Sequence, residues 1–253
     1  MAYRYDNDLE FLKTCSAEEL DVLVKLLTID KDGEKRITEE LTQSQRYKSD
    51  FPEHNLYWDL IAAELQCFGA NSIVTLFRGG KGVTYREILT DVCKKMKVNF
   101  NDNSSCEMIE QNLLMKILTD SMDKMSPAEL QEITKELDLK TTNFTKEAIV
   151  IALQASIRIG GFASYQVALI VANSVAKMLV GRGLALAANA GLTRAMSIFA
   201  GPVGWTLTGA WTIADLSGPA FRVTIPCVIQ IACLRAQKGH YEPSTVNFTI
   251  PRS

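Results

Sequence analysis

The chain has 253 residues, 47% of them hydrophobic and 22% charged, with a formal net charge of −2 at pH 7. That much apolar content with so small a net charge excludes disorder as a general description, and the even charge balance excludes a strongly basic nucleic-acid binder. The charge is unevenly placed: residues 159–253 carry seven Lys and Arg against two acids, net +5, while residues 1–158 carry 20 basic against 27 acidic groups, net −7.

Residues 7–28 read as helix. Ser16 followed by Glu19 makes a capping box, and Leu9, Leu12, Leu20, Leu23, Val24 and Leu27 recur at spacings of three and four. Asp30-Lys31-Asp32-Gly33 interrupts the pattern. A calcium loop needs a third ligand before the glycine and a Glu at position 12; both are missing, so the tetrapeptide reads as an Asp-Gly turn. Residues 35–46 read as a second, charged helix, followed by a connection around Pro52. Tyr57 to Phe68 is apolar at helical spacing, and Gly69 ends it. The run from Ile73 to Phe77 leads into Arg78-Gly79-Gly80-Lys81-Gly82. This stretch is no phosphate loop, because Gly82 follows Lys81 where Ser or Thr is required. Further helices are expected over Thr84–Lys97, Cys106–Met122, Ser126–Leu137 and Thr145–Ile159, the third opened by Pro127 with Glu129 two residues later.

The back half is built differently. Uncharged runs cover 159–176, 183–193, 195–214 and 223–234. A membrane-spanning helix needs about 20 mainly apolar residues, and only 195–214 reaches that length. It also carries Gly201, Pro202, Gly204 and Gly209. Ala168, Ala172 and Ala176 are four apart, as are Gly183, Ala187 and Gly191, and such ridges let helices approach closely. Trp205, Trp211 and Arg222 resemble interfacial anchors. The pattern fits the buried centre of a soluble bundle, a membrane span, peripheral association, or a hairpin released into a bilayer by a trigger. Positive charge on this half favours an anionic leaflet.

The expected fold is all-α: a multi-helix bundle with a Gly/Ala-rich hydrophobic helical hairpin region in its C-terminal half. The expected divisions are an N-terminal helical module over 1–50, a helical middle domain over 51–158, the hydrophobic region over 159–238 and a polar tail over 239–253.

Catalytic patterns are missing from the sequence. There is no Gly-x-Ser-x-Gly elbow, and His54 and His240, both read as surface or loop residues, cannot readily activate a nucleophile. The pairs Glu18/Glu19, Glu39/Glu40 and Glu107/Glu110 read as solvated helix faces. Cys15, Cys67, Cys93, Cys106, Cys227 and Cys233 have no CxxC spacing and read as reduced, mostly buried thiols. No metal, cofactor or catalytic residue is expected. The start of the chain, with Arg4, Asp6, Asp8, Glu10 and Lys13, lacks the apolar stretch of a signal peptide, so a cytoplasmic location with conditional association with the inner membrane is expected.

Longer strings carry a resemblance. Tyr3-Arg4-Tyr5-Asp6-Asn7-Asp8-Leu9-Glu10-Phe11-Leu12, with the turn at 30–33 and Thr38-Glu39-Glu40-Leu41, resembles a short N-terminal module of unknown function in bacterial proteins. Ile157-Arg158-Ile159-Gly160-Gly161-Phe162-Ala163, Phe199-Ala200-Gly201-Pro202-Val203-Gly204-Trp205 and Gly218-Pro219-Ala220-Phe221-Arg222 resemble the YaaW-type family, as far as about Lys238. That family is distantly similar to ubiquinol–cytochrome c chaperones, which are helical assembly factors. Modules like the N-terminal one also occur in bacterial conflict systems as adaptors. The resemblance brings no catalytic residues.

The expected function is a non-enzymatic, membrane-active effector of bacterial stress or phage defence. The front senses a protein trigger, and the back oligomerises on activation and disrupts membrane lipid. Gly183, Gly201, Gly204, Trp205, Gly209 and Trp211 would serve helix contact and insertion. Arg182, Arg194, Asp215 and Arg222 would meet lipid phosphate or hold a closed state by ion pairs. The alternative is a soluble assembly chaperone whose apolar back binds segments of membrane or respiratory proteins. Nucleic acid is not an expected partner.

Overall fold

A computed structural model of the chain describes residues 2–30, 34–36, 40–69, 82–159, 161–181, 183–184, 192–215 and 221–241. The side chains of residues 159, 161, 193, 208–215, 240 and 241 lie outside that description. The regular elements of the described residues are all helices, without a strand. The helices are α1 Ala17–Thr28, α2 Gln45–Asp50, α3 Trp58–Gly69, α4 Tyr85–Lys95, α5 Cys106–Met122, α6 Pro127–Glu136, α7 Lys146–Ile159, α8 Gly161–Val180, α9 Thr193–Asp215 and α10 Phe221–Tyr241. Three short 3-10 turns complete the set, at Glu10–Thr14, Leu41–Gln43 and His54–Tyr57. The expected all-α fold is therefore the observed one.

Local chemistry sets most helix starts. Ser16, Thr84 and Ser126 each cap a helix with a reciprocal Glu three residues on, and Ser44 and Ser105 cap with the side chain alone. Each cap satisfies backbone donors that the first helical turn leaves open. The Ser16 box also splits the expected 7–28 helix. The chain turns in 3-10 form over Glu10–Thr14, and α1 begins afresh at Ala17.

Among the described residues of 35–46, no α-helix forms before α2 begins at Gln45, against the charged helix expected there; residues 37–39 lie outside the described residues. Ile29 instead bridges antiparallel to Lys35. Asp30 N donates to the Glu34 carbonyl at 2.8 Å, Glu34 N donates to Asp30 Oδ1 at 2.9 Å, and Arg36 Nε reaches the Leu26 carbonyl near the end of α1. The aspartate competes for the backbone in a way that helix propensity does not capture. Residues 31–33 of that turn, the 70–81 stretch with its glycine run, and the tail from 242 lie outside the described residues.

Helix α8 is the axis of the molecule. Residues 165–176 are buried without interruption, and α8 packs against α10, α9, α5, α7 and α1. A helix apolar on every side belongs in a core or a membrane. Phe162–Val180 is long and apolar enough to cross a membrane, and 67% of its most apolar window is buried inside the protein. The uncharged run at 159–176 is thus explained by the neighbours that cover it. Helix α10 is also buried continuously from Val223 to Leu234, flanked by α8, α1, α4, α5 and α3. Ser164, near the start of α8, and Arg235, near the end of α10, line one cleft, so the two helices run antiparallel. The buried apolar side chains form one cluster that takes in Leu9 and Leu27 of the front and Phe199 and Leu234 of the back.

Candidate functional site

The N-terminal segment reaches the last helix through polar contacts set in this core. Helix α10 is buried from Val223 to Leu234, with Thr224 and Gln230 the polar residues of that run, then presents Arg235, Gln237 and Lys238. Arg235 Nε donates to both oxygens of Glu110 on α5, at 3.0 and 3.2 Å, and Nη2 donates to the Asp8 carbonyl at 2.6 Å. The guanidinium lies 4.5 Å from the centre of the Phe11 ring and 5.8 Å from that of Tyr85. Tyr85, the first residue of α4, donates its hydroxyl to Glu110 at 2.6 Å, and its backbone N–H donates to Asp6 Oδ2 at 2.6 Å. One turn further along α10, Lys238 and Gln237 both bond Glu19, the residue that closes the α1 capping box. On the other side of the N-terminal segment, the buried Gln66 amide pairs with Arg4 as a strand neighbour would, accepting from its N–H and donating to its carbonyl.

The electrostatics follow from burial. The Glu110 and Arg235 side chains are 4% and 14% exposed. Burial pushes the Glu110 carboxyl above its ordinary range, and Arg235 and Tyr85 pull it back. Burial also works against the Arg235 charge, and Glu110 with Tyr85 more than restores it. The Tyr85 hydroxyl, buried beside a carboxylate, is held far above its usual value. Near this junction, Cys106 Sγ donates to Asp8 Oδ2 at 3.1 Å, and burial followed by that contact pushes the thiol up to about 12. Thiolate chemistry at neutral pH needs the opposite shift. The cysteines are free, and all but Cys67 are fully buried, as the sequence led us to expect.

Two expectations need correction. Glu110 is no solvated partner of Glu107, and Glu19 is no solvated partner of Glu18: Glu110 is buried and Glu19 partly buried, each in a specific contact with α10. The sequence held the signal for Glu110, which occupies the apolar stripe Cys106, Ile109, Leu113, Leu114, Ile117, Leu118. His54 is also no surface residue. It is 2% exposed, bonds the Tyr57 hydroxyl through Nδ1 at 2.5 Å, and places Nε2 3.7 Å from Asp21. Burial lowers its pKa against the pull of Asp21.

The residues singled out for membrane action fall at scattered places. Gly201, Gly204 and Trp205 sit on α9, with Gly201 and Trp205 one turn apart on its exposed side. Trp205 is 63% exposed, and a Cβ on Gly201 would meet nothing within 4 Å. Gly204 turns partly inward, toward Met178 of α8. Arg194 pairs with Glu132 of α6, an acid of the front half. Arg222 is exposed at the start of α10. Gly209, Trp211 and Asp215 lie on α9 where side chains are not described, and Arg182 is outside the described residues.

Gly183 has a local role. A Cβ there would come within 2.5 Å of Asn173 Oδ1, which accepts the Leu184 N–H at 3.0 Å from inside α8. We expect Gly183→Ala to cost about 1–3 kcal/mol by overpacking this contact, measured as a fall in the urea midpoint.

The cleft lies beside the ion pair. It has a volume of about 220 Å³ between α5, α8 and α10. Glu110, Arg235, Leu114 and Ala232 form its deep part, and Glu107, Gln111, Ser164 and Gly239 lie at its rim. Among the described residues, no group of three or more metal-ligating side chains is gathered anywhere.

Fold and junction together define the class: an all-helical protein in which Arg235 of α10, ion-paired with Glu110 of α5, also holds the N-terminal segment by donating to the Asp8 carbonyl. Residues 53–229 match the model of the ubiquinol–cytochrome C chaperone family, and residues 3–37 match a domain of unknown function, DUF3944. A UPF0174 protein of Helicobacter pylori (strain J99 / ATCC 700824) is 49% identical over 93% of both chains. The UPF0174 protein YaaW of Escherichia coli (strain K12) is 37% identical over 92% of this chain and 95% of its own. The chain therefore belongs to the ubiquinol–cytochrome C chaperone family and groups with the UPF0174 proteins. No solved structure matches it.

Proposed function

We propose that this protein is a non-enzymatic assembly chaperone that binds apolar segments of a membrane or respiratory protein. The observation that carries the reading is the chaperone-family match across 53–229, which spans the helices from α3 into α10. It favours the alternative expectation over the leading one. Membrane disruption and phage defence draw no support from the fold or from the relatives. On this reading the client meets the outer side of α9, where Gly201 leaves the backbone open and Trp205 offers a large apolar surface to water. A glycine beside an exposed aromatic suits an incoming helix, since close backbone approach and ring contact are both available.

The test uses the full chain and a 20-residue Leu/Ala peptide diluted from detergent. Stoichiometric protein should suppress the light scattering of the aggregating peptide without releasing dye from anionic liposomes. Gly201→Leu and Trp205→Ser should weaken the suppression while the urea midpoint stays put, as their open surroundings allow. Dye release without suppression would reverse the reading in favour of membrane disruption.

A further inference from the structure

The cleft between α5, α8 and α10 is lined by Arg235, one of whose donors is unused among the described residues. Arg235 directs Nε to Glu110 and Nη2 to the Asp8 carbonyl, while Nη1 donates to none of the described residues. Both members of the ion pair line the cleft, with the apolar side chains of Leu114, Ala232 and Ala236 beside them. A nearly buried guanidinium with an unspent amino group beside an apolar wall favours a ligand that brings an acceptor together with apolar surface.

Size and charge narrow the ligand. Small-molecule sites run to about 300–1,000 Å³. The 220 Å³ here suits one side chain of a partner better than a cofactor. The Arg235 charge is already balanced by Glu110, and Glu107 at the rim leaves the lining with one acid in excess. An anion entering meets that acid, and a cation reaching the deep end meets the guanidinium. A neutral acceptor meets neither penalty.

We propose that this cleft is an anchor pocket for one apolar residue of a partner polypeptide, with Arg235 Nη1 donating to a backbone carbonyl next to that residue. That the partner is a client chain rests on the chaperone reading; the pocket is separate from the α9 face. Ala236 and Ser164, both half-buried, would border the bound side chain.

The test is an NMR titration of the isotope-labelled full chain with N-acetyl-leucine N-methylamide, a neutral probe with one apolar side chain and two carbonyls. Saturable shifts are expected at Arg235 Nε–H and at the amides of Ser164 and Ala236. N-acetyl-leucinate and leucine N-methylamide, the anionic and cationic counterparts, should bind at least about tenfold more weakly, equivalent to 1.4 kcal/mol. Ala236→Leu should fill the cleft and abolish the shifts, with an unmoved Arg235 Nε–H resonance reporting that the ion pair remains. The pocket is overturned if the neutral probe shifts none of these resonances, shifts them equally in Ala236→Leu, or binds no better than its charged counterparts. The same variant should suppress peptide aggregation less well than the wild type. Full suppression with lost probe binding would overturn the client-anchor role and leave the chaperone reading standing.

Discussion

The Arg235→Met chain is expected to unfold about 3–5 kcal/mol more easily than the wild type at pH 7, the range for breaking a buried ion pair from one side. Methionine replaces the apolar stem of arginine and can still lie against Phe11, so the loss is mainly electrostatic. Glu110 is left in the core with the Tyr85 hydroxyl as its remaining hydrogen-bond partner among the described residues. A carboxyl whose pKa is higher in the folded than in the unfolded state binds its proton more tightly when folded. Its contribution to stability is fully present below the unfolded value, about 4.3, and is lost as the pH rises through the folded one. Removing Arg235 raises the folded value further, so the deficit should be largest at neutral pH and smaller at pH 5. Urea unfolding of both chains at the two pH values measures it. Adding Glu110→Gln should recover much of the loss, because an amide can still accept from Tyr85 and carries no charge to bury. A deficit independent of pH and untouched by Glu110→Gln would show that Arg235 acts by packing alone.

This junction also shows what the sequence could and could not disclose. Local caps in the front were legible in part: Ser16 and Glu19 formed the expected capping box, though the helix expected over 7–28 runs through it, and the helix opening at Pro127 and Glu129 formed where expected. The failure at 35–46 was local too, since the Asp30 side chain and the Ile29–Lys35 bridge turned the backbone back on itself. Glu110 was legible in principle, being an acid on an apolar stripe. Its partner was not, because 125 residues separate it from Arg235 and no periodicity connects α5 with the end of α10. His54 was misplaced for the same reason, as the core that covers it comes from α1 and from its own turn. The uncharged run in α8 was ambiguous in kind: a helix surrounded by protein and a helix surrounded by lipid need similar compositions. Only the packing of α10, α9, α5, α7 and α1 around it identifies those neighbours.

Leu169→Ala tests whether that central helix and the front of the molecule unfold as one. Leu169 is fully buried midway along α8, so the substitution removes apolar contact and opens a cavity, at a cost of about 2–5 kcal/mol. The front has a convenient reporter. Trp58, at the start of α3, lies edge-on to Tyr3 with ring centres 5.4 Å apart, and Trp205→Phe with Trp211→Phe leaves it as the sole tryptophan. The buried apolar cluster runs without a break from Leu9 through Leu169 to Leu234, and α1 touches both α8 and α10. A cavity in α8 should therefore weaken the front as much as the back. In the Leu169→Ala chain, the Trp58 fluorescence transition and the loss of far-ultraviolet circular dichroism should move to lower urea together and stay coincident. A front able to stand alone would behave differently, with Trp58 holding its midpoint while helical signal is lost ahead of it. That result would mean that the hydrophobic helices can leave the front intact, the behaviour required of a hairpin that detaches to enter a membrane. Coincident transitions would instead tie the apolar helices to the fold as its core, leaving client binding to the surface of α9 and the cleft beside Arg235.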